Sequence, residues 1–377
     1  MFEISKSQKQ IQKAARDFAK GEFDKEFTLE LEEKREFPEK IWKKAADLGF
    51  IGIQYDEAYE GGGLGVLEGC LIAEEFCRKD STMGMALSLT GLGSEALFRF
   101  GDNSLKEKFL PKIVQGEMLS GIAFAEDNFG LDLSSIETVA TTEGDKLIIN
   151  GEKTNVLNGG AAGFYIVLCK SDPDGNQSEN QADDLTLVLV EANRDGISIN
   201  DLGEKLGINM VKTAGISFTD VQVPTSNIIG KEGKAKEQLK AFFNEIKILT
   251  AAQALGTAQG ALDRAIDYSK QREQFNRKLS QFQVIRHKLA DMATKVELAR
   301  LITYKAAWNF DNGKADDALI AMAKMTAGRM AVEVTDEAIQ IFGGYGYMKE
   351  SDVERFYRDA KVAELSFGNA QIQKDIV

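Results

Sequence analysis

The hydrophobic positions of this chain change period twice. Over residues 4 to about 118, Phe18, Phe23, Phe27, Ile41, Trp42, Ala45 and Leu48 recur near three- and four-residue spacing among charged neighbours, which predicts helices with one apolar face. Pro38 is placed to start a helix, where its missing N–H costs little, and Gly49 to end it. Glu60-Gly-Gly-Gly-Leu-Gly65 reads as a flexible turn and not as a P-loop, because no Lys-Ser/Thr follows. Leu67–Arg78 and Gly84–Phe100 read as buried helices, with Gly101-Asp102-Asn103 breaking the chain before a helix over Leu105–Ile113.

From about 120 to 230 the pattern becomes short β-type runs. Lys146–Asn150, Phe164–Cys169, Leu185–Val190, Ile197–Ile199 and Ile216–Phe218 are bounded by Gly, Asn and Asp. Glu143–Lys146 and Asn150-Gly151 read as hairpin turns. Ser171–Asp184 is polar and reads as a mobile loop without chemistry. After about 231 the helical period returns over Gln238–Lys270, Phe282–Asn309, Asp316–Phe342 and Ser351–Leu365, four helices whose short connections suit an antiparallel bundle. The fold class is therefore α+β, with a helical unit over 1–119, a β unit over 120–230 and a four-helix bundle over 231–377.

Composition narrows the function. A formal net charge of −13 argues against nucleic-acid binding, and an anionic ligand would need local cations. No run approaches the ~18 apolar residues of a membrane span. The polar start, Met1-Phe-Glu-Ile-Ser-Lys, lacks a signal peptide's apolar segment, so a cytoplasmic location is the expectation. Cys70 and Cys77, seven apart on one helical face, read as small buried residues rather than a metal or redox pair. The single histidine, His287, leaves no material for a histidine metal cluster or a Ser–His triad, and it reads as a helix-surface or interface residue.

The densest chemistry lies near the C-terminus. Gln340-Ile-Phe-Gly-Gly-Tyr-Gly-Tyr347 ends a helix at a glycine pair that admits close approach. Arg355-Phe-Tyr-Arg-Asp-Ala-Lys361 and Phe367-Gly-Asn-Ala-Gln-Ile-Gln373 follow. In this order and spacing the three motifs resemble the C-terminal signature of the acyl-CoA dehydrogenase family. Helix–β–helix order extends the resemblance over nearly the full length. It implies a β-barrel middle domain, FAD as cofactor and an acyl thioester, CoA- or carrier-protein-linked, as substrate. It also implies electron transfer to an electron-transferring flavoprotein, and a homotetramer or a hetero-oligomer with a paralogue.

By the same resemblance, the ADP half of FAD falls to Arg272, Phe275, Phe282, Gln283, Gln340 and Gly344, with Gly343, Asn369 and Gln371 also assigned to the cofactor. Arg272 has the fork geometry that suits a pyrophosphate, and Asn276 stands where the family has glycine. The flavin half falls to Phe124, Ala125, Glu126, Gly130, Leu131, Asn155, Val156 and Leu157. Four of these depart from the family: Ala125 and Leu157 replace threonines, Leu131 a serine and Asn155 an aromatic. The substrate falls to Phe243, Asn244, Lys247 and Gly368, with Ser88, Thr90 and Glu95 shaping the acyl pocket.

The largest departure is Phe367, where the family places its catalytic glutamate. A minority place the base on the first long C-terminal helix, and that position here is Ile246. Candidate bases are Glu245, one residue away, Glu364, one turn before Phe367, and Asp127. The leading expectation is a FAD-dependent acyl-thioester dehydrogenase or atypical eliminase. The alternatives are a non-catalytic partner subunit and a flavin monooxygenase.

Overall fold

A computed structural model describes residues 3–127, 133–171 and 185–377 of the chain. Gly130, Leu131 and the polar loop beyond Ser171 lie outside the described residues. Seven helices come first: α1 (Lys6–Glu22), α2 (Lys25–Lys34), α3 (Glu39–Asp47), α4 (Val66–Lys79), α5 (Ser81–Ser88), α6 (Ser94–Phe100) and α7 (Asn103–Val114). Side-chain caps fix several starts: Ser5 and Gln8 form a capping box, and Asp24, Asp80 and Asp102 each accept from a backbone N–H of the first turn. Gly84–Phe100 is not one helix. It breaks at Leu89–Gly93, where Gly93 at φ 99° packs against the strand that follows α7. The glycine turn is not loose either. A Cβ on Gly61 would meet the Tyr55 carbonyl oxygen at 2.1 Å, and Gly63 and Leu64 donate to the Tyr55 and Ile53 carbonyls.

Seven strands form one mixed sheet: β1 (Ser120–Ala123), β2 (Val139–Glu143), β3 (Lys146–Leu157), β4 (Phe164–Ser171), β5 (Leu185–Glu191), β6 (Ile197–Asp201) and β7 (Thr213–Pro224). β4 lies parallel to β1 and β2 and antiparallel to β5, and its first six residues are buried. Continuous burial explains why its sequence is an apolar run without alternation. β1 and β2 are short additions to the strands read from the sequence. Gly144 turns the β2–β3 hairpin at φ 64°. Asn150-Gly151 does not turn the chain. It lies inside β3 at a register irregularity against β7, because Thr138 packs where a Gly151 side chain would stand.

The bundle comprises α8 (Ala235–Gln271), α9 (Gln283–Asp311), α10 (Asp317–Phe342) and α11 (Val353–Leu365), with α12 (Ala370–Ile376) closing the chain and a two-residue ribbon, β8 (Glu273–Gln274) with β9 (Arg277–Lys278), between α8 and α9. α8 is buried almost all round over Ile248–Leu262. Its small residues let α4 come close: a Cβ on Gly256 would meet the Glu74 carbonyl oxygen at 2.2 Å, and one on Gly260 the Arg78 carbonyl oxygen at 2.3 Å. One apolar core joins the first seven helices to the sheet, and a second fills the bundle and one side of α4. Cys70, Cys77 and Cys169 are all buried. His287 is exposed on α9.

Candidate functional site

The family-like motifs divide into residues that build the frame and residues left facing open space. Asp359, in the Arg-Asp-Ala-Lys run, belongs to the frame. Its Oδ2 accepts from Ser81 and Thr82 hydroxyls at 2.5 Å each, and its Oδ1 from the Ile208 N–H at 2.8 Å. One carboxyl thus ties α11 to α5 and to the loop before β7. Burial, opposed by its hydrogen bonds, pushes its pKa up to about 6. Beside it Arg355 makes a buried fork on Asp80, at 2.9 and 2.7 Å.

Glu126 and Lys153 also build the frame. Lys153 Nζ donates to Glu126 Oε1 at 2.6 Å, and the same carboxylate accepts from the Glu137 and Thr138 N–H groups and the Thr138 hydroxyl. Burial alone raises the pKa of Glu126, but these hydrogen bonds and the ammonium outweigh it and leave it lowered. The Thr154 N–H donates to the Ala125 carbonyl, so the two stretches assigned to the flavin are stitched together through backbone. Asn158 donates to the Leu89 and Ser120 carbonyls at 2.8 Å. Between these fixed points Asn155 is exposed at φ 53°, Val156 is buried and Leu157 is half-buried. Phe124 packs edge-on against Phe242 and Phe243 of α8. The hydroxyls that Ala125 and Leu157 lack are absent from a backbone that is itself firmly held.

The other half faces outward. A cleft of about 440 Å³ is lined by Tyr268, Arg272, Leu279, Phe342, Gly343 and Gly344, among others. A Cβ added at Gly343 or Gly344 would meet no atom of the described residues within 4 Å, so both face open space. The Arg272 guanidinium has no carboxylate partner among the described residues and lies 5.6 Å from the Tyr345 ring centre. An unpaired, permanent cation beside a bare glycine pair fits a diphosphate. Gln340, exposed one turn before the pair, takes the Gly343 N–H on its carbonyl. Phe275 is 87% exposed at φ 53°, edge-on to Phe282, and Gln283 begins α9. Asn369 caps α12 through the Gln371 and Ile372 N–H groups, and both Asn369 and Gln371 line a separate surface cleft with Arg329 and Lys361.

The residues that the resemblance assigns to the substrate sit on α8 and just past the end of α11. Asn244 donates to Asp317 at 2.8 Å, and burial lowers the pKa of Lys247. Phe367 is half-buried against the first core at φ 52°, an uncommon backbone state for a bulky residue. Lys324 of α10 supports this turn from below, donating to the Gly368 carbonyl at 2.5 Å and the Glu364 carbonyl at 3.1 Å. Burial first, then Lys247, lowers its pKa to about 8. The sequence reading passed over Lys324, although a lone lysine in the small apolar run Ile320-Ala-Met-Ala-Lys-Met-Thr-Ala was a visible signal.

The three candidate bases are far from equivalent. Glu364 is held by Lys361 at 2.5 Å and lines the outer cleft with Arg329. Asp127 is exposed. Glu245 is buried, takes the Arg99 Nε–H at 2.6 Å, and lines an interior cavity with Ser88, Thr90, Glu95 and Ile246. The predicted acyl-pocket residues Ser88, Thr90 and Glu95 thus come together, with Phe243 outside their cavity wall.

Residues 5–117, 121–221 and 237–377 match the N-terminal, middle and C-terminal domain models of acyl-CoA dehydrogenases. The chain is 36% identical over 375 residues to an acyl-CoA dehydrogenase of Bacillus subtilis, covering 99% of this chain and 97% of that one. Butyryl-CoA dehydrogenase from Megasphaera elsdenii superposes with a TM-score of 0.93 at 35% identity, over 100% of this chain and 98% of the other. A chain from the structure of the electron transferring flavoprotein of Acidaminococcus fermentans, studied for flavin-based electron bifurcation, gives a TM-score of 0.94 at 35% identity, over 100% and 98%. The chain belongs to the acyl-CoA dehydrogenase family.

Proposed function

We propose that this chain is a FAD-dependent oxidoreductase of acyl thioesters, CoA- or carrier-linked, that passes its electrons to an electron-transferring flavoprotein. The observation that carries the reading is the unpaired Arg272 guanidinium beside the open Gly343–Gly344 cradle, on a chain whose full length matches the family. Arg272 would hold the diphosphate, with Gln340 and Phe275 beside it. Phe124, Val156 and the backbone at Ala125 would border the ring. FAD, when bound, supplies the acceptor for a hydride from the β-carbon. Asn244, Lys247 and Gly368 would position the thioester. Residue 367 supplies no base, because a phenyl ring takes up no proton.

Self-association belongs to the same reading. Phe275, Tyr345, Tyr347, Val284, Leu298 and Leu301 leave a broad apolar surface on the bundle exposed, the kind of surface another subunit covers. We infer a tetramer built of this chain. No helix among the described residues is long and apolar enough to cross a membrane, and a cytoplasmic setting is the reading we keep.

A second reading, that of a partner subunit completing a paralogue's site, is favoured by Phe367 itself. The base position sits at φ 52°, an uncommon backbone state, and carries a phenyl ring in place of a carboxylate. A visible spectrum followed by anaerobic titration with acyl-CoAs separates the two. The enzyme reading expects a flavin band that bleaches with a thioester. A colourless protein that takes up no added FAD alone, but does so with a paralogue, overturns it in favour of the second.

A further inference from the structure

Two buried donors stand under the turn that joins α11 to α12. Lys324 of α10 is 1% exposed, and Gln373 of α12 is fully buried. Lys324 Nζ donates to the Gly368 carbonyl at 2.5 Å and to the Glu364 carbonyl at 3.1 Å. Gln373 Nε2 donates to the same Gly368 carbonyl at 3.0 Å and to the Phe367 carbonyl at 3.3 Å. Lys324 has no carboxylate partner among the described residues. Glu364, whose carbonyl it holds, gives its own carboxylate to Lys361 and Arg329. Burying an ammonium on backbone carbonyls alone is costly, and a methionine would occupy similar space without that cost. The packing of α10 by itself does not call for a cation there.

The turn explains the need. Phe367 at φ 52° is in a state that a bulky residue seldom holds unaided, and Gly368 at φ 92° can swing its peptide groups at little cost. In a trans peptide the C=O and the following N–H point opposite ways. Drawing the Phe367 and Gly368 carbonyls toward Gln373 and Lys324 therefore aims the Gly368 and Asn369 N–H groups away from these two side chains. Neither N–H has a hydrogen-bond partner among the described residues, although Gly368 is buried. A buried N–H left so marks a place for an acceptor. We propose that Lys324 is a positioning residue for the thioester: by gripping the Gly368 carbonyl it holds the turn at 367–369 with its free N–H groups presented to the thioester carbonyl. The inference rests on the acyl-thioester reading above, which gives Gly368 to the substrate. The charged groups facing Lys324 are Lys247 of α8 and Glu364 of α11. Burial first, and then Lys247, lower its pKa to about 8 against the pull of Glu364. Lys324 is thus mainly a cation at pH 7, and a cation on the Gly368 carbonyl polarises that peptide and strengthens its N–H as a donor. The grip weakens as pH rises through about 8.

The test pairs α,α-dimethyl acyl-CoAs, which have no α-proton to lose, with the CoA thioethers that lack only the carbonyl oxygen, over a range of chain lengths. Calorimetry on the full chain with FAD added should show Lys324→Met weakening the thioesters by roughly tenfold and leaving the thioethers unchanged. A side chain that only props up the fold would weaken both alike. A second readout needs no variant. In the unaltered chain the ratio of thioester to thioether affinity should fall as pH rises through about 8. Titration of Lys247 cancels from that ratio, because both ligands carry the same CoA. Losses equal for the two ligands, no loss at all, or a ratio that stays flat with pH overturn this inference and leave the thioester reading standing. Binding of neither ligand by the unaltered chain overturns both.

Discussion

The two ends of α8 carry opposite charges in opposite surroundings. Near its start Glu245 is buried, paired with Arg99, and lines a cavity together with Glu95. Just past its end, ~40 Å from Glu245 by the rise of about 27 helical residues, Arg272 stands exposed and, among the described residues, without a carboxylate partner. The exposed cation is cheap to leave unpaired, because water solvates it until an anion arrives. The buried acid is not, because burial penalises its charged form and pushes it toward protonation. The open end thus offers an anion a solvated, permanent cation, whereas the buried end is already committed to an ion pair.

The largest effect expected is on chemistry. Phe367→Glu restores a carboxylate at the family's base position on a backbone already turned to φ 52°. Flavin reduction by an acyl-CoA, followed by stopped-flow absorbance, should accelerate by about 10²–10⁴-fold. An unchanged rate would mean that another group already removes the proton, which turns attention to Glu245. Next in size is the frame. Arg355→Met leaves Asp80 buried without its counter-ion, and urea unfolding should show a loss of about 3–5 kcal/mol. A loss under ~1 kcal/mol would mean that Asp80 finds another partner or protonates at little cost.

How much of this was legible in sequence follows from the range of each interaction. The helical and β periods are local, and so the bundle and the strands β3 to β7 could be read. The glycine pair and Arg272 carry their meaning in their own residue types, and the structure leaves both facing open space. The break at Gly93 was hidden because α5 and α6 are both buried, so one apolar run continues across the bend. Asn150-Gly151 looked like a turn, yet its glycine is needed against Thr138 from across the sheet. Glu245 and Arg99 are 146 positions apart, and no local pattern announces that they meet. Asp359 was visible as a motif residue, but its work, holding α5 and the loop before β7, is tertiary.

A third prediction probes the open end directly. Arg272→Ala removes an exposed guanidinium with no ion pair, so stability should hold within about 0.5 kcal/mol. FAD affinity should fall by roughly tenfold to a hundredfold, the worth of a charge-assisted contact, as measured by flavin fluorescence titration. A large loss of stability instead would show that the guanidinium's contact with Tyr345 is structural.

The smallest effect on the isolated chain should come from Phe275. Its ring is 87% exposed, its backbone sits at φ 53°, and its aromatic neighbour Phe282 already has the Arg277 guanidinium over its ring at 3.8 Å. An exposed aromatic at an uncommon φ contributes little to its own fold. Phe275→Ala should therefore leave unfolding unchanged within about 0.5 kcal/mol. If the ring serves a bound dinucleotide or a second subunit, flavin retention or the oligomer seen by analytical ultracentrifugation must weaken while the unfolding curve stays in place. A variant that changes neither would remove Phe275 from the open end and leave Arg272 and the glycine pair to define it.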